Sequence, residues 1–263
     1  MKKMIRINKY LKFIIIISSV YSSDNTYNAM DVMGKVVNTP KPFSSISEIQ
    51  LEIVRLSSGK IKRKSRAFLK YDKQFTSGEH IKKSLVKFLE PKSIRGTGLL
   101  SLIKTDGFAD QWFFLPKLKV AKRVKSKEKG KSFMATDFKY EDLENRNIGD
   151  DTFVINGMEK IDGHECIVIF SKPIKQSSYW AKKIFVDKEL FQIRKIEFFS
   201  KESILEKTLY IKELVNKGDY WFPSILEMRK SNNNHTIMRV EGFKPDVELD
   251  DEIFTKSFLS IQN

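Results

Sequence analysis

The sequence of 263 residues contains one cysteine, Cys166. A single thiol excludes an intramolecular disulfide. Cys166 also lies too far from the N-terminus to be the lipid-attachment cysteine of an exported lipoprotein. We interpret it as a buried structural thiol, because free cysteine behaves as a small apolar side chain.

Histidine is almost as scarce, with His80, His164 and His235 in the whole chain. Their wide spacing matches no metal-ligand motif, so we expect neither a metal site nor a cofactor. His164 and Cys166 are two positions apart and would share one face of a strand. A Cys–His catalytic pair therefore remains an alternative to two packed strand residues. The sequence offers little else for catalysis, and we expect a protein that is not an enzyme.

Nucleotide-binding and nucleic-acid-binding motifs are missing as well. In RGTGLL, Gly96 and Gly98 lack the third glycine of a dinucleotide fingerprint and the Gly-Lys-Ser/Thr of a P-loop. Because these glycines lead into an apolar run, they predict a bend or bulge where a sheet curls. We find no zinc finger, helix-turn-helix or RNA-binding strand motif.

The N-terminal apolar block, FIIIISSVY from Phe13, is far shorter than the ~18 residues that span a bilayer. The cations before it are Lys2, Lys3, Arg6, Lys9 and Lys12. Basic, apolar and small residues in this order predict a cleaved signal peptide over residues 1–22, with an uncleaved anchor or a buried helix as alternatives. We find no linker or fixed-period repeat, so residues 23–263 are expected to form one domain.

Positive charge is what the sequence has in excess. The chain carries 48 Lys and Arg against 33 Asp and Glu, a net charge of +15. Loss of residues 1–22 would leave about +10, because that segment holds five cations and no acid. A basic exported chain favours lipid headgroups over nucleic acid as its anionic partner.

Two-residue alternation of apolar and polar side chains is the dominant pattern. Ile49, Leu51 and Ile53 alternate with polar residues, and a turn at 57–60 joins them to a second alternating run, which predicts a hairpin. The predicted strands are 49–53, 61–71, 81–90, 97–104, 109–115, 152–156, 164–171, 178–186, 190–199, 205–214, 220–230 and 235–243. Many antiparallel strands with few helices indicate a sandwich, a barrel or one strongly curved sheet.

Three segments have helical patterns. The segment 25–40, NTYNAMDVMGKVVNTP, places Ala29, Met30, Met33, Val36 and Val37 on one side, and Pro40 ends it. The segment 136–143, TDFKYEDL, offers Asp137 as an N-cap, and the segment 250–259 offers Asp250 or Asp251. We expect these helices to cover the sheet as a lid.

Three ordered segments carry a family resemblance: FLEPKSIRGTGLL at 88–100, DQWFFLPKLKVAKRV at 110–124 and KGKSFMATDFKYEDL at 129–143. They resemble the LolA/LolB-like outer-membrane lipoprotein-sorting proteins of bacteria. The resemblance is closest to a periplasmic branch with Pro–Arg-Gly-Thr-Gly, Trp–Leu-Pro and Ser-Phe-Met–Asp-Phe–Tyr-Glu-Asp-Leu segments. It covers about residues 88–143.

This resemblance implies a fold, an activity and a partner. The implied fold is mainly β: a half-open, strongly curved antiparallel sheet, or incomplete barrel, with a few helices packed in its concave side as a lid. The implied activity is non-enzymatic binding of lipid or lipoprotein acyl chains in an apolar cavity, for transport between the inner and outer membranes. Members of this branch are often associated with large export proteins, so an inner-membrane exporter of the RND/MMPL type is the expected partner.

Physical chemistry supports a carrier independently. An acyl chain exposed to water costs about 0.8 kcal/mol per CH₂, so unassisted crossing of an aqueous compartment is negligible. The alternatives are an envelope sensing or adaptor module that binds lipid or peptide and signals to a membrane protein, and, less favoured, an enzyme.

Candidate site residues follow from the strand pattern and the implied pocket. The expected acyl cavity is lined by Leu51, Ile53, Leu69, Tyr71, Trp112, Phe114, Leu226 and Met228. The expected headgroup or membrane contacts are Lys122, Arg123, Lys125, Lys127, Lys129 and Lys131. The competing interpretation makes the aromatics ordinary core residues and the basic run a solvated loop.

Overall fold

The computed structural model describes residues 27–125, 128–143, 146–201 and 203–261, and the expected signal peptide lies outside them. Within these ranges the α-helices are α1, Ala29–Val37, and α2, Lys256–Leu259. The strands are β1 Ser44–Ser57, β2 Lys60–Gln74, β3 His80–Glu90, β4 Gly98–Lys104, β5 Ala109–Leu115, β6 Val120–Arg123, β7 Asp151–Ile161, β8 His164–Pro173, β9 Ala181–Asp187, β10 Ile193–Phe199, β11 Leu205–Lys217, β12 Tyr220–Lys230 and β13 His235–Pro245.

All these strands form one antiparallel sheet in the order β6-β5-β4-β3-β2-β1-β13-β12-β11-β10-β9-β8-β7. The pairing of β1 with β13 joins the first half of the chain to the second. The edge strands β6 and β7 do not pair with each other, so the sheet is not closed into a barrel. The prediction of a mainly β, half-open, strongly curved antiparallel sheet is confirmed.

The β1–β2 hairpin shows why the alternating pattern predicts strands here. Its ladder runs without interruption from Ser44↔Lys73 to Ser57↔Lys60. The two turn residues, Ser58 and Gly59, have φ values of 50° and 74°. Positive φ at both positions is the requirement of a type I′ turn, whose twist matches that of the strands. The turn predicted at 57–60 is therefore confirmed.

The other predicted strands lie within a few residues of observed ones, with two instructive differences. The sequence does not predict β6, because four residues are too few to show alternation. Its Lys122 and Arg123 belong to the run that the sequence suggests is a basic loop. β7 is longer than the predicted 152–156. Its register shifts between Ile155 and Met158, and Gly157 takes a φ of 104°, so a bulge interrupts the alternation there.

The sheet has two faces that are covered differently. We call the face that carries Leu51 and its cross-strand partner Met238 the inner face; it is covered by α1 and by residues 128–143, here named the lid segment. The opposite, outer face is covered along β2–β5 by the C-terminal residues 247–259. Directly opposed residues of antiparallel strands point to the same side, so the register assigns every strand residue to one face.

Helix α1 forms as predicted. The Asn28 side chain accepts hydrogen bonds from the backbone N–H groups of Met30 and Asp31, at 2.8 Å and 3.3 Å. The helix ends one residue before Asn38, ahead of Pro40. Its apolar side places Val32 and Met33 against Ile167, Ile169, Ile184 and Val186 of the inner face.

The prediction of an α-helix at 136–143 is wrong. The lid segment has 3₁₀ turns at Phe133–Ala135 and Tyr140–Leu143 instead. Asp137 caps nothing, because its carboxylate is drawn to Arg55 and Thr236 on the sheet. An eight-residue helix is marginal alone, so these long-range contacts decide the local conformation.

The C-terminal helix has the predicted cap but a different position. The Asp250 side chain accepts from the Glu252 N–H at 2.9 Å, at the start of a 3₁₀ turn that precedes α2. Phe254 and Leu259 then pack on the outer face rather than joining the lid. The reason lies in the residues that follow β13. The Asp246 N–H donates to the Ser44 carbonyl at 2.7 Å, and this contact directs the chain across the apolar outer face.

The RGTGLL glycines serve this outer packing. Gly96 takes a φ of 77° in the turn before β4, as a bend requires. Gly98 lies in the ladder between Lys87 and Phe114, and a Cβ there would come within 2.5 Å of the Leu259 side chain. The absent side chain lets α2 approach the sheet closely.

Candidate functional site

A cavity of about 700 Å³ lies between the inner face and the segments that cover it. Its floor consists of aliphatic and aromatic side chains of β9–β12: Ile184, Ile193, Ile196, Phe198, Leu209 and Met228. Phe108 of the β4–β5 turn lines the same cavity although β4 and β9 are far apart in the strand order. The sheet therefore curls around this space, which we call the inner cavity.

The register explains the apolar floor. Ile196 is directly opposite Leu209, and Leu209 is directly opposite Met228. These three side chains therefore form a continuous row across β10, β11 and β12 on one face. Met33 and Val37 of α1 and Phe138 of the lid segment form the walls.

The lid segment is fastened over the cavity by buried charges. The Asp142 carboxylate accepts from Lys207 Nζ at 2.5 Å and from the Tyr179 hydroxyl at 2.7 Å. The Lys207 side chain is fully buried, and its ammonium also donates to the Asp137 carbonyl at 2.9 Å. Burial lowers the pKa of Lys207 despite the nearby Asp142 carboxylate, and burial together with that carboxylate raises the pKa of Tyr179.

Asp137 provides a second attachment of the lid segment. Its side chain is almost fully buried, and its Oδ2 accepts from Arg55 Nη1 at 2.8 Å and from Thr236 Oγ1 at 2.7 Å. The Arg55 guanidinium also donates to the Ala135 carbonyl at 2.8 Å. These contacts connect the lid segment to β1 and β13.

Glu141 attaches the other side of the lid segment to the β8–β9 connection. Its carboxylate accepts from the Ser177 hydroxyl and from the Ser178 N–H, the latter at 2.8 Å. Burial would raise the pKa of Glu141, but the hydrogen bonds from Ser177 and Ser178 outweigh it and hold the pKa below its usual value. The group therefore stays ionised beside the cavity.

Aromatic rings fill the inner face of the first half of the sheet. Phe88 lies 5.2 Å from Phe68 and 5.9 Å from Phe133, measured between ring centroids. Phe133 in turn contacts Tyr140 edge-on at 5.5 Å. These separations are typical of favourable aromatic pairs.

The eight predicted cavity residues fall on both faces of the sheet. Met228 lines the inner cavity, and Leu51, Ile53 and Leu226 share its face outside the lining. The residues on the outer face are Leu69, Tyr71, Trp112 and Phe114. Alternation separates two faces but does not say which faces the cavity, and here the outer face also needed apolar residues to hold the C-terminal segment.

A smaller cavity of about 430 Å³ adjoins some of these outer residues. Leu69, Tyr71 and Phe258 line it, together with Lys87. The Lys87 ammonium donates to the carbonyls of Leu259 and Ile261, at 3.0 Å and 2.7 Å, and so holds the end of α2. This space lies beside the C-terminal segment.

The predicted headgroup residues have varied surroundings. Arg123 pairs with Asp110, and Lys131 pairs with Glu128 at 3.3 Å. The Lys129 ammonium lies 4.9 Å from the centre of the Phe108 ring, and Lys129 is the member of this set that lines the inner cavity. Lys122 and Lys125 are exposed, whereas Lys127 lies outside the described residues. Their proposed contact with headgroups stays a prediction.

Sequence reasoning missed the residues that attach the lid. The sequence makes Asp137 a candidate N-cap and gives no sign that Glu141 or Lys207 takes part in attaching the lid. The available signal is the density of acids in TDFKYEDL, but their side-chain partners on the sheet and its connections lie 36 to 99 positions away in the chain.

Cys166 and His164 do not form an activated pair. The thiol is fully buried and donates to the His164 carbonyl, with Sγ and O 3.6 Å apart. Burial raises the pKa of Cys166 to about 11, so the thiol is neutral. Among the described residues no cluster of His, Cys, Asp or Glu is arranged to hold a metal ion. No helix within the described ranges is long and apolar enough to span a bilayer.

Comparisons with solved structures agree on the fold. An outer membrane lipoprotein-sorting protein domain from Vibrio parahaemolyticus superposes with a TM-score of 0.81 at 24% identity, covering 89% of this chain and 98% of that one. A DUF1329 family protein from Desulfovibrio piger gives 0.80 at 23% identity, with 88% and 97% covered. A LolA superfamily protein from Nitrosomonas europaea gives 0.66 at 21% identity, with 88% and 99% covered.

At the level of sequence, no protein of curated function matches the chain. A family model with the description "Uncharacterized protein" matches residues 80–261, which is more than half of the chain. The chain therefore belongs to the family that this model describes, and its fold is that of the LolA-like lipoprotein-sorting proteins.

Proposed function

We propose that this protein is a non-enzymatic periplasmic carrier that binds an acyl chain of a lipid or lipoprotein in the inner cavity and moves it between the inner and outer membranes. The observation that carries the proposal is a cavity of about 700 Å³ with an apolar floor, beneath a lid segment held partly by polar contacts. Ligand cavities of 300 to 1,000 Å³ with apolar linings and a few polar groups are typical of small-molecule sites.

The energetics favour an acyl chain as the occupant. A chain of about sixteen carbons gains on the order of 12 kcal/mol when its CH₂ groups leave water. The row Ile196, Leu209 and Met228 offers apolar contact without directional polar groups, which suits a flexible chain. The lid is held by the polar contacts of Asp137, Glu141 and Asp142 together with the packing of Phe133 and Phe138, and opening it would expose this floor.

The cavity also has a place for a negatively charged headgroup. Lys182 lines it, and burial lowers the pKa of this lysine although Asp151 and Glu141 act in the opposite direction. No carboxylate of the described residues lies within ion-pair distance of its ammonium. A carboxylate or phosphate of a bound amphiphile would supply that partner.

Export and partners complete the proposal. Residues 1–22 serve as a cleaved signal peptide, residues 23–263 form the lipid-binding domain, and an inner-membrane exporter of the RND/MMPL type is the expected partner. The basic, apolar and small order of the N-terminus supports export.

Fluorescent fatty-acid uptake tests the site. Ile196→Trp together with Leu209→Trp introduces two bulky rings side by side into the floor, because these residues are directly opposed. We expect uptake to fall at least tenfold. The matched control is Ile81→Trp with Val154→Trp, two aliphatic side chains that are 41% and 62% exposed outside the cavity, and it should bind like the parent.

Equal uptake by both double variants would place the ligand elsewhere. Transfer from donor to acceptor vesicles then distinguishes a carrier from a sensor. A protein that binds the fatty acid through this cavity but does not accelerate transfer would be a sensing or adaptor module.

A further inference from the structure

The antiparallel topology gathers the turns of the sheet at two ends. Neighbouring antiparallel strands are joined by turns at alternating ends of the sheet. One end holds the turns β1–β2, β3–β4, β5–β6, β8–β9, β10–β11 and β12–β13. The turns β2–β3, β4–β5, β7–β8, β9–β10 and β11–β12 lie at the other end, together with residues 246–252 after β13.

These two ends carry opposite charge. The first end includes Lys92, Arg95, Lys117, Lys119 and, in the β1–β2 hairpin, six cations without an acid: Arg55, Lys60, Lys62, Arg63, Lys64 and Arg66. The second end includes Asp106, Asp162 and Asp219 and the cluster Asp246, Glu248, Asp250, Asp251 and Glu252. We call them the basic end and the acidic end.

The β1–β2 hairpin projects beyond the neighbouring strand β3 at the basic end. Its partner β3 pairs with β2 only as far as Ala67↔Glu90, so residues 60–66 extend beyond that strand. Arg63 is paired with Glu52 at 2.9 Å, whereas no carboxylate of the described residues is within ion-pair distance of Lys60, Lys62 or Lys64. The tip therefore presents uncompensated positive charge to solvent.

Large aliphatic side chains stand among these cations. Leu56 and Ile61 are directly opposed on one face of the tip and are 50% and 57% exposed. Other aliphatic residues of the basic end that are at least half exposed are Leu118, Val120, Ile174 and Ile204. Exposed aliphatics interleaved with lysines suit the boundary between lipid headgroups and acyl chains.

We propose that the basic end, led by the β1–β2 hairpin, docks the protein on an anionic lipid bilayer. The lysines approach the headgroups, Leu56 and Ile61 enter the interface, and the acidic end is repelled and points away. Aliphatic rather than aromatic residues at these tips argue against nucleic acid, whose bases stack on aromatic rings. The inference deepens the proposed carrier function, because it names the surface from which acyl chains would be collected or delivered.

The test measures binding to vesicles of phosphatidylcholine with about 30% phosphatidylglycerol. Replacing Lys60, Lys62 and Lys64 with Gln should weaken binding on the order of a hundredfold at low salt, since each lysine near an anionic surface contributes about a factor of five to ten. The matched control replaces Lys122, Lys125 and Lys131 with Gln, which removes the same charge from the basic run after β5. It should change binding less than about threefold, a result that would contradict the headgroup contact predicted for these lysines from the sequence. All the substituted side chains are exposed, so these variants should unfold at the same temperature as the parent.

A second variant separates lipid from other polyanions. Leu56→Ser with Ile61→Ser keeps the net charge and should weaken vesicle binding about tenfold while leaving binding to a DNA duplex unchanged. Equal losses in the two lysine variants, or unchanged vesicle binding of the Leu56/Ile61 variant, would overturn the proposal. Fatty-acid uptake in solution should be unaffected by all of them, so failure of this proposal is distinguishable from failure of the acyl cavity.

Discussion

The two halves of the inner face are built from strands with the same alternating pattern of apolar and polar residues. Side chains fill the space over one half, whereas the other half holds a cavity. Over β1–β5 the lid segment inserts Phe133 between Phe88 and Tyr140, and the space closes. Over β9–β12 the same segment packs Phe138 against Phe198 and Met228 and otherwise attaches through Asp142 and Glu141. The cavity lies where buried charges, together with the Phe138 ring, hold the lid to the sheet.

This difference teaches that the covering segment, not the strand pattern, decides where a curved sheet keeps an open space. An aromatic side chain that packs into the sheet removes the space beneath it. A carboxylate fixed to a buried lysine at the margin holds the chain in place and leaves the space open. Changes to each kind of contact should therefore have different consequences.

The largest expected effect is the loss of a lid charge. Asp142→Ala leaves the buried Lys207 ammonium without its counter-ion and should lower the free energy of unfolding by about 3–5 kcal/mol. Urea denaturation measures this change. Glu248→Ala, at an exposed position, is the control and should cost less than about 0.5 kcal/mol. A loss for Asp142→Ala no larger than that of the control would contradict the buried-attachment account.

Removing a ring from the filled half comes next. Phe133→Ala should destabilise the protein by about 3–4 kcal/mol, because Phe133 is buried against Phe88 and Tyr140. Leu209→Ala, beside the cavity, should cost less, about 2 kcal/mol, since fewer atoms surround its side chain. Equal losses in thermal or urea unfolding would show that the two halves are packed alike.

Acid should weaken the lid through Glu141. The pKa of Glu141 is held below its usual value of 4.5, so its contribution to stability is complete above that value and is lost as the pH falls through the lowered folded pKa. Glu141→Gln should therefore lose less stability than the parent between about pH 5 and about pH 3. Parallel pH profiles of the two proteins would exclude a role for this carboxylate.

The smallest effect is expected on the outer face. Phe114 packs against the C-terminal segment, so Phe114→Leu should leave fatty-acid uptake within about twofold of the parent while costing about 1 kcal/mol of stability. A tenfold loss of uptake would instead place the ligand near the outer face, where Tyr71 and Phe258 adjoin the smaller cavity.

Local chemistry made much of the fold predictable. The two-residue period located the strands, and Asp250 marked a helical start through its own side-chain hydrogen bond. The turn at Ser58-Gly59 followed from the same short-range logic. Each of these features depends on residues a few positions apart, which a sequence displays directly.

The site was less predictable because it depends on distant pairs. Trp112 and Phe114 have the same alternation as inner residues, but their face was decided by where the C-terminal segment returns. Asp137 was expected to cap a helix, whereas Thr236, 99 positions later, binds its carboxylate. Ile196 and Leu209 became cavity residues only because the lid leaves them uncovered.

Photocrosslinking with a diazirine-bearing fatty acid tests the central claim most directly. After irradiation and proteolysis, mass spectrometry identifies the labelled peptides. Acyl binding in the inner cavity predicts labels on α1 and on β10–β12, around Met33, Ile196, Leu209 and Met228. Labels concentrated around Phe88 and Phe133, or on the outer face around Tyr71 and Phe258, would contradict it.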